Sequence, residues 1–127
     1  MTAALTFDTP PAGLAPLTSF TLNEVSGADG LYSLRAVDNG AIRLFVLDAA
    51  AYLPEYSPEI SDEHCRSIDL HTAADAMVLV VVNPGEAGAR MNLLAPIVVN
   101  VHTGACAQVI LDDQDWPLQA ELAVRSA

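Results

Sequence analysis

Residues 91–111 read MNLLAPIVVNVHTGACAQVIL, and the reading of this stretch decides the fold. Its apolar density is that of a buried strand, yet Pro96 interrupts it and Asn92 and Asn100 bracket its densest part. Proline cannot donate to a β-ladder, so it sits on edge strands or at bulges. The run is therefore read as a strand that is partly free, beside a break in its ladder. The amides of Asn92 and Asn100 can satisfy backbone groups where pairing stops. A bulge required only for barrel curvature is the alternative reading of the same three residues.

Turn signals surround this run at regular intervals: PPAG (10–13), SGADG (26–30), VDNG (37–40), LPEYSP (53–58), NPGEAG (83–88) and HTG (102–104). The segments between them are short and rich in β-branched and aromatic residues. Such spacing predicts a compact all-β barrel or sandwich, mainly antiparallel. ALTFD (4–8) and LTSFTLNEV (17–25) are the first two strands on this reading. GLYSLRAV and AIRLFVLD flank Asp38-Asn39-Gly40 as a hairpin, whose tight turn calls for residues that tolerate positive φ. AMVLVVV (76–82) and PIVVNV (96–101) are continuous rather than alternating, which implies strands covered on both faces. A helix, a loop, another subunit or a partner must supply the cover. One short helical insert is expected in 58–75. Ser61 is a good N-cap, Asp62 and Glu63 follow in the first turn, and Thr72 with Asp75 has capping-box spacing.

The chain of 127 residues fits one domain, 1–127, and its 52% apolar content argues against disorder. The longest apolar run, at 76–82, is far short of the roughly 20 residues a transmembrane helix needs. The first ten residues lack the basic and apolar regions of a secretory signal. These features predict a cytoplasmic protein without membrane contact. Cys65 and Cys106 form no CxxC and are expected to remain thiols. Sixteen acidic residues face five arginines and no lysine, for a net charge of −11. Such a chain repels nucleic-acid phosphates and attracts basic partners. The charge is concentrated. Residues 55–75 hold Glu55, Glu59, Asp62, Glu63, Asp69 and Asp75 against Arg66, and Asp112, Asp113 and Asp115 form a second cluster.

Catalytic patterns are weak. His64, Asp69, His71 and His102 include no recognised zinc spacing. A Cys–His pair from Cys65 or Cys106 with His102 is chemically conceivable, but neither cysteine has a glycine-rich loop beside it. NPGEAG lacks the lysine and spacing of a phosphate loop. No catalytic residue, metal or cofactor is expected. A binding surface remains, built from an acidic lobe beside two apolar strands. The opposing possibility is that every apolar face is core and every acid merely solvated. A ligand-binding or enzyme-like barrel with a pocket gathering His102, Cys106 and a carboxylate is the rival reading. A homo-oligomer using VLVVV as its self-interface is the third.

Several segments resemble one known family. Asn92, Leu93, Ala95, Pro96, Ile97, Val98 and Asn100 match the N-L-x-A-P-I-V-x-N segment of the flagellar assembly factor FliW family. Gly104, Gln108, Ile110 and Leu111 match its following G-x-x-x-Q-x-I-L. GLAPLTSFTL, LFVLD with Pro54-Glu55-Tyr56, EISDEHCRSIDL and MVLVVV resemble its other elements in the same order, over about residues 7–111. The tail DDQDWPLQAELAVRSA departs from the aromatic and basic final strand frequent in the family. The resemblance implies a small antiparallel β-barrel with no enzymatic activity. It also implies two alternative partners in the cytoplasm, flagellin and the RNA-binding translational repressor CsrA. Protein freed by flagellin export would engage CsrA and relieve repression of flagellin translation. An acidic partner suits a basic RNA-binding protein, and amphipathic flagellin helices suit an apolar groove. The residues expected to carry the acidic contact are Asp62, Glu63 and Asp69, with Asp112 and Asp113 second. Those expected to carry the apolar contact are Tyr56, Pro96, Ile97 and Val99.

Overall fold

The computed structural model describes residues 2–9, 16–25, 27, 30–52, 56, 60–83, 90–111 and 120–121. The strands are β1 (Thr2–Phe7), β2 (Ser19–Glu24), β3 (Leu31–Ala36), β4 (Arg43–Asp48), β5 (Ala76–Asn83), β6 (Arg90–Asn100), β7 (Ala105–Gln108) and the short β8 (Ala120–Glu121). Helix α1 (Ala49–Tyr52), helix α2 (Asp62–Ser67) and a 3₁₀ turn (Ala73–Asp75) lie between β4 and β5. The order β5-β4-β3-β2-β1-β7-β6 closes because β6 also pairs with β5. Seven strands thus form a barrel, and β8 adds to β6 at Arg90 and Met91. The β1–β7 pair is parallel and the other pairs are antiparallel.

The strands divide by how they are covered. In β1, β2 and β3 the inward residues Leu5, Phe7, Phe20, Leu22, Leu34 and Ala36 are buried, while Thr6, Glu24 and Arg35 lie exposed. This is the period-two pattern of a sheet with one wet face. Phe7 and Phe20 meet edge-to-face inside, with centroids 5.2 Å apart. β5 and β6 are buried on both faces. Leu79, Ile97 and Val99 point into the barrel. Val80, Val82, Met91 and Leu93 pack outward with Leu47, Tyr52 and Tyr56. Val98 packs outward with Ile68, Leu70, Val109 and Leu111. The segment from α1 to the 3₁₀ turn is therefore the cover that the continuous runs demanded. It also buries Val80 and Val82, which removes VLVVV as an exposed self-interface.

The β6 run corrects one expectation and satisfies another. The register with β5 jumps from Leu79↔Ile97 to Val81↔Asn92, so four residues of β6 oppose Val80 alone. This is the break in the ladder that Pro96 marks. Asn92 Oδ1 accepts from the backbone N–H groups of Leu94 and Ala95, both at 3.1 Å. Gln108 Nε2 donates to the Ala95 carbonyl at 3.3 Å. The bulged backbone is thus satisfied by side chains. The strand is not free, however. β5 runs along one edge, with β7 and β8 along the other, and the Val109 and Leu111 N–H groups extend that edge to the carbonyls of Pro96 and Leu94. The β3–β4 turn is corrected as well. Asp38, Asn39 and Gly40 all keep negative φ. The Asn39 side chain instead accepts from Ala41 N–H at 3.2 Å, an Asx turn in a longer loop.

Candidate functional site: the acidic helix and its flanking clefts

Helix α2 has only six residues, too few to hold itself in water. Both its ends are fixed by specific bonds. Ser61 caps the N-terminus, accepting from His64 N–H at 3.2 Å, and its hydroxyl lies 2.6 Å from His64 Nδ1. Asp62 and Glu63 then face solvent in the first turn, beside the positive end of the peptide dipoles. At the C-terminus, Asp69 N–H donates to the Arg66 carbonyl and Leu70 N–H to the Cys65 carbonyl. These two bonds, with Asp69 at φ 56°, make a Schellman cap that has aspartate where glycine is usual. Leu70 and Cys65 share the apolar cluster beneath, which is the contact that accompanies this cap.

The lobe is pinned to the barrel from below by the turn after β6. Asn100 is buried, and its Nδ2 donates to the carbonyls of Ile68 and Asp69, both at 3.0 Å. Its Oδ1 accepts from His102 N–H at 3.0 Å. Val101 N–H donates to the Asp75 carbonyl, and Asp75 Oδ1 lies 2.8 Å from His102 Nε2. Thr72 caps the 3₁₀ turn through Ala74 N–H, as the sequence suggests. Asp75 does not complete the reciprocal half of that box, since His102 engages its carboxylate. The turn itself requires Gly104, which has φ +78°, and a Cβ there would lie 2.3 Å from the Ala4 carbonyl oxygen.

The residues expected to contact partners separate into two groups. Asp62, Glu63 and Asp69 are exposed on the lobe, and Asp69 Oδ1 lies 3.1 Å from His71 Nε2. Pro96, Ile97 and Val99 are buried, so the expectation that they present an apolar face is corrected. Ile97 and Val99 fill the barrel interior, as alternation along a doubly covered strand dictates. Tyr56 is half-buried between the two outer apolar clusters, and its hydroxyl donates to the Leu93 carbonyl. Burial there pushes its ionisation well above the usual tyrosine range. It acts as a pin between the covering segment and β6. Asp112 and Asp113 lie outside the described residues.

Two clefts flank α2. One, of about 390 Å³, lies on the Asp62 side and is lined by Cys65, His71, Thr72, Val78 and Val98 among others. The other, of about 460 Å³, lies on the Glu63 side against the end of β1 and the continuation of β7. Sequence reading missed the second cleft, because nothing in the sequence places Asp8 beside α2. A third pocket, at one barrel mouth, includes Tyr32, Met77, Val99, Asn100 and His102. Cys106 is not in its lining. That thiol is fully buried in the barrel, and burial pushes it up to about 12. A protonated, inaccessible thiol is a poor nucleophile, so His102 and Cys106 are not assembled as a catalytic pair. Both cysteines are free thiols. Among the described residues, no three His, Cys, Asp or Glu side chains are grouped to hold a metal, and no helix is long and apolar enough to cross a membrane.

Comparison with known proteins places the chain in context. The family model described as FliW protein matches residues 1–122. The flagellar assembly factor FliW of Caldicellulosiruptor bescii is 31% identical over 90 residues, covering 69% of this chain and 59% of that one. Its counterpart in Syntrophus aciditrophicus is 29% identical over 90 residues, covering 69% and 57%. The matched region thus spans less than two thirds of these relatives' length. A crystal structure of the flagellar assembly factor FliW superposes with a TM-score of 0.88 at 21% identity, over 98% of this chain and 88% of the other.

Proposed function

Because the chain belongs to the FliW family, we propose that it is a cytoplasmic, non-enzymatic flagellar assembly factor that binds flagellin and, when free of it, the translational repressor CsrA. Binding to CsrA antagonises repression and raises flagellin translation. The observation that carries this reading is the family match across residues 1–122, a span that includes both the barrel and its acidic lobe. The geometry supports it in a specific way. Asp62, Glu63 and Asp69 stand exposed on a lobe held rigidly by Asn100 and two helix caps. Fixed carboxylates on a protein of net charge −11 accelerate encounter with a basic RNA-binding protein and impose no phosphate-like groove on it. The acidic contact is therefore assigned to these three residues, while β6 serves as scaffold.

The test is titration of purified protein with purified flagellin and with purified CsrA from the same organism, at low and high salt. Binding of each, mutual competition, and a CsrA affinity that falls with salt are expected. Binding of neither partner would overturn the proposal.

A further inference from the structure

The segment Gly104–Leu111 contains four residues of the family-like pattern, and three have structural work. Gly104 makes the close approach to Ala4, Gln108 bonds the bulge at Ala95, and Leu111 is buried. Ile110 does none of these and stands 58% exposed. It lines the cleft of about 460 Å³ between α2 and the barrel, whose floor includes Ala107. Asp8, from the end of β1, and Glu63, from α2, stand on its walls. Both carboxylates are exposed, and neither is in an ion pair with a described residue. Among the described residues, no arginine lines the cleft. His64, the one cationisable side chain among the described lining residues, is engaged with Ser61.

We propose that this cleft is a docking site for an extended, arginine-bearing segment of a protein partner, with an aliphatic side chain seated on Ile110 and guanidinium groups reaching Asp8 and Glu63. Charge complementarity argues for this occupant. Two carboxylates brought to one cleft from different elements, neither in an ion pair with a described residue, select a cation, and guanidinium matches carboxylate in a planar, bidentate fashion. The apolar floor and Ile110 favour a side chain over a hydrated ion. The inference rests on the reading of the chain as a binding protein and deepens it. It places contact on the Glu63 side of α2 and recruits Asp8 and Ile110, while Asp62 and Asp69 lie outside this cleft.

Two arms test it. In the first, ¹⁵N-labelled full-length protein is titrated with a synthetic peptide alternating arginine and leucine, and with a glutamate-for-arginine control. Shifts clustered at Asp8, Thr9, Glu63 and Ile110 with the first peptide alone are expected. Shifts centred on Asp62, Asp69 and His71, or none at all, would overturn the site whatever the natural partner is. In the second, Asp8→Arg and Ile110→Ser are compared with Asp62→Arg for binding to purified CsrA and to flagellin. A loss of about tenfold or more for one partner in the first two variants, with melting temperature unchanged, supports the site. Wild-type affinity for both partners in Asp8→Arg and Ile110→Ser would overturn it. If the wild type binds neither protein, the functional proposal fails, and the peptide arm still decides the cleft.

Discussion

β6 and α2 are linked through Asn100, which holds the turn just after the helix, and they have opposite designs. β6 is buried along nearly its whole length and spends its polar residues on its own backbone and on the covering lobe. Asn92 closes the bulge, and Asn100 holds the carbonyls of Ile68 and Asp69. α2 contributes no buried residue and keeps Asp62, Glu63 and Arg66 exposed to water. The difference teaches that the most recognisable sequence in this chain marks scaffold. The surface proposed to face other molecules is short, polar and compositionally plain.

The sharpest way to break this contrast is Ile97→Asp. A carboxylate in the fully buried barrel interior is expected to cost about 4 kcal/mol or more. Urea denaturation would show the protein largely unfolded, whereas a folded variant that selectively lost one partner would put the strand back on the surface. Asn100→Leu comes next. It leaves the Ile68 and Asp69 carbonyls and the His102 N–H without their partner, at about 2–3 kcal/mol. Amide exchange across 61–75 should quicken more than that of β1 to β3; uniform exchange would mean that the lobe is not held by this residue.

Cys106 gives a pH-dependent test. Burial raises its ionisation from the usual value of 9.0 to about 12. Below the unfolded value both states hold the proton and stability is full. Above it the unfolded chain ionises and the folded chain cannot, so stability declines as pH rises from about 9 toward 12. The urea midpoint should fall over this range more steeply in the wild type than in Cys106→Ala. Equal slopes would remove the thiol as the cause. The smallest effect is expected for Asp69→Gly. Relief of the left-handed conformation is worth about 1 kcal/mol, partly offset by the flexibility of glycine in the unfolded chain. Thermal melting should be unchanged or slightly raised, while binding to a basic partner weakens; a large loss of stability would deny the Schellman cap.

Much of this architecture was legible in the sequence for identifiable reasons. The unbroken runs at 76–82 and in β6 require cover on both faces, and the covering segment supplied it. Ser61 and Thr72 revealed their caps because a hydroxyl before an acidic first turn has few other uses. Pro96 announced the ladder break. It misled on exposure because proline excludes a hydrogen bond without excluding burial, and the bulge provided the third option. The Asp38-Asn39-Gly40 turn misled because loop length, which sets turn type, was invisible. The cleft beside Glu63 was illegible because it joins the ends of β1 and β7 through a parallel pairing of residues about a hundred positions apart.

The central claim is that recognition rests on the acidic lobe while β6 only supports it. The most direct measurement is calorimetric titration of Asp62→Lys/Glu63→Lys with CsrA, alongside its melting temperature. Binding weakened by about tenfold or more in a protein that melts like the wild type is expected. Undiminished affinity in that folded variant would contradict the account.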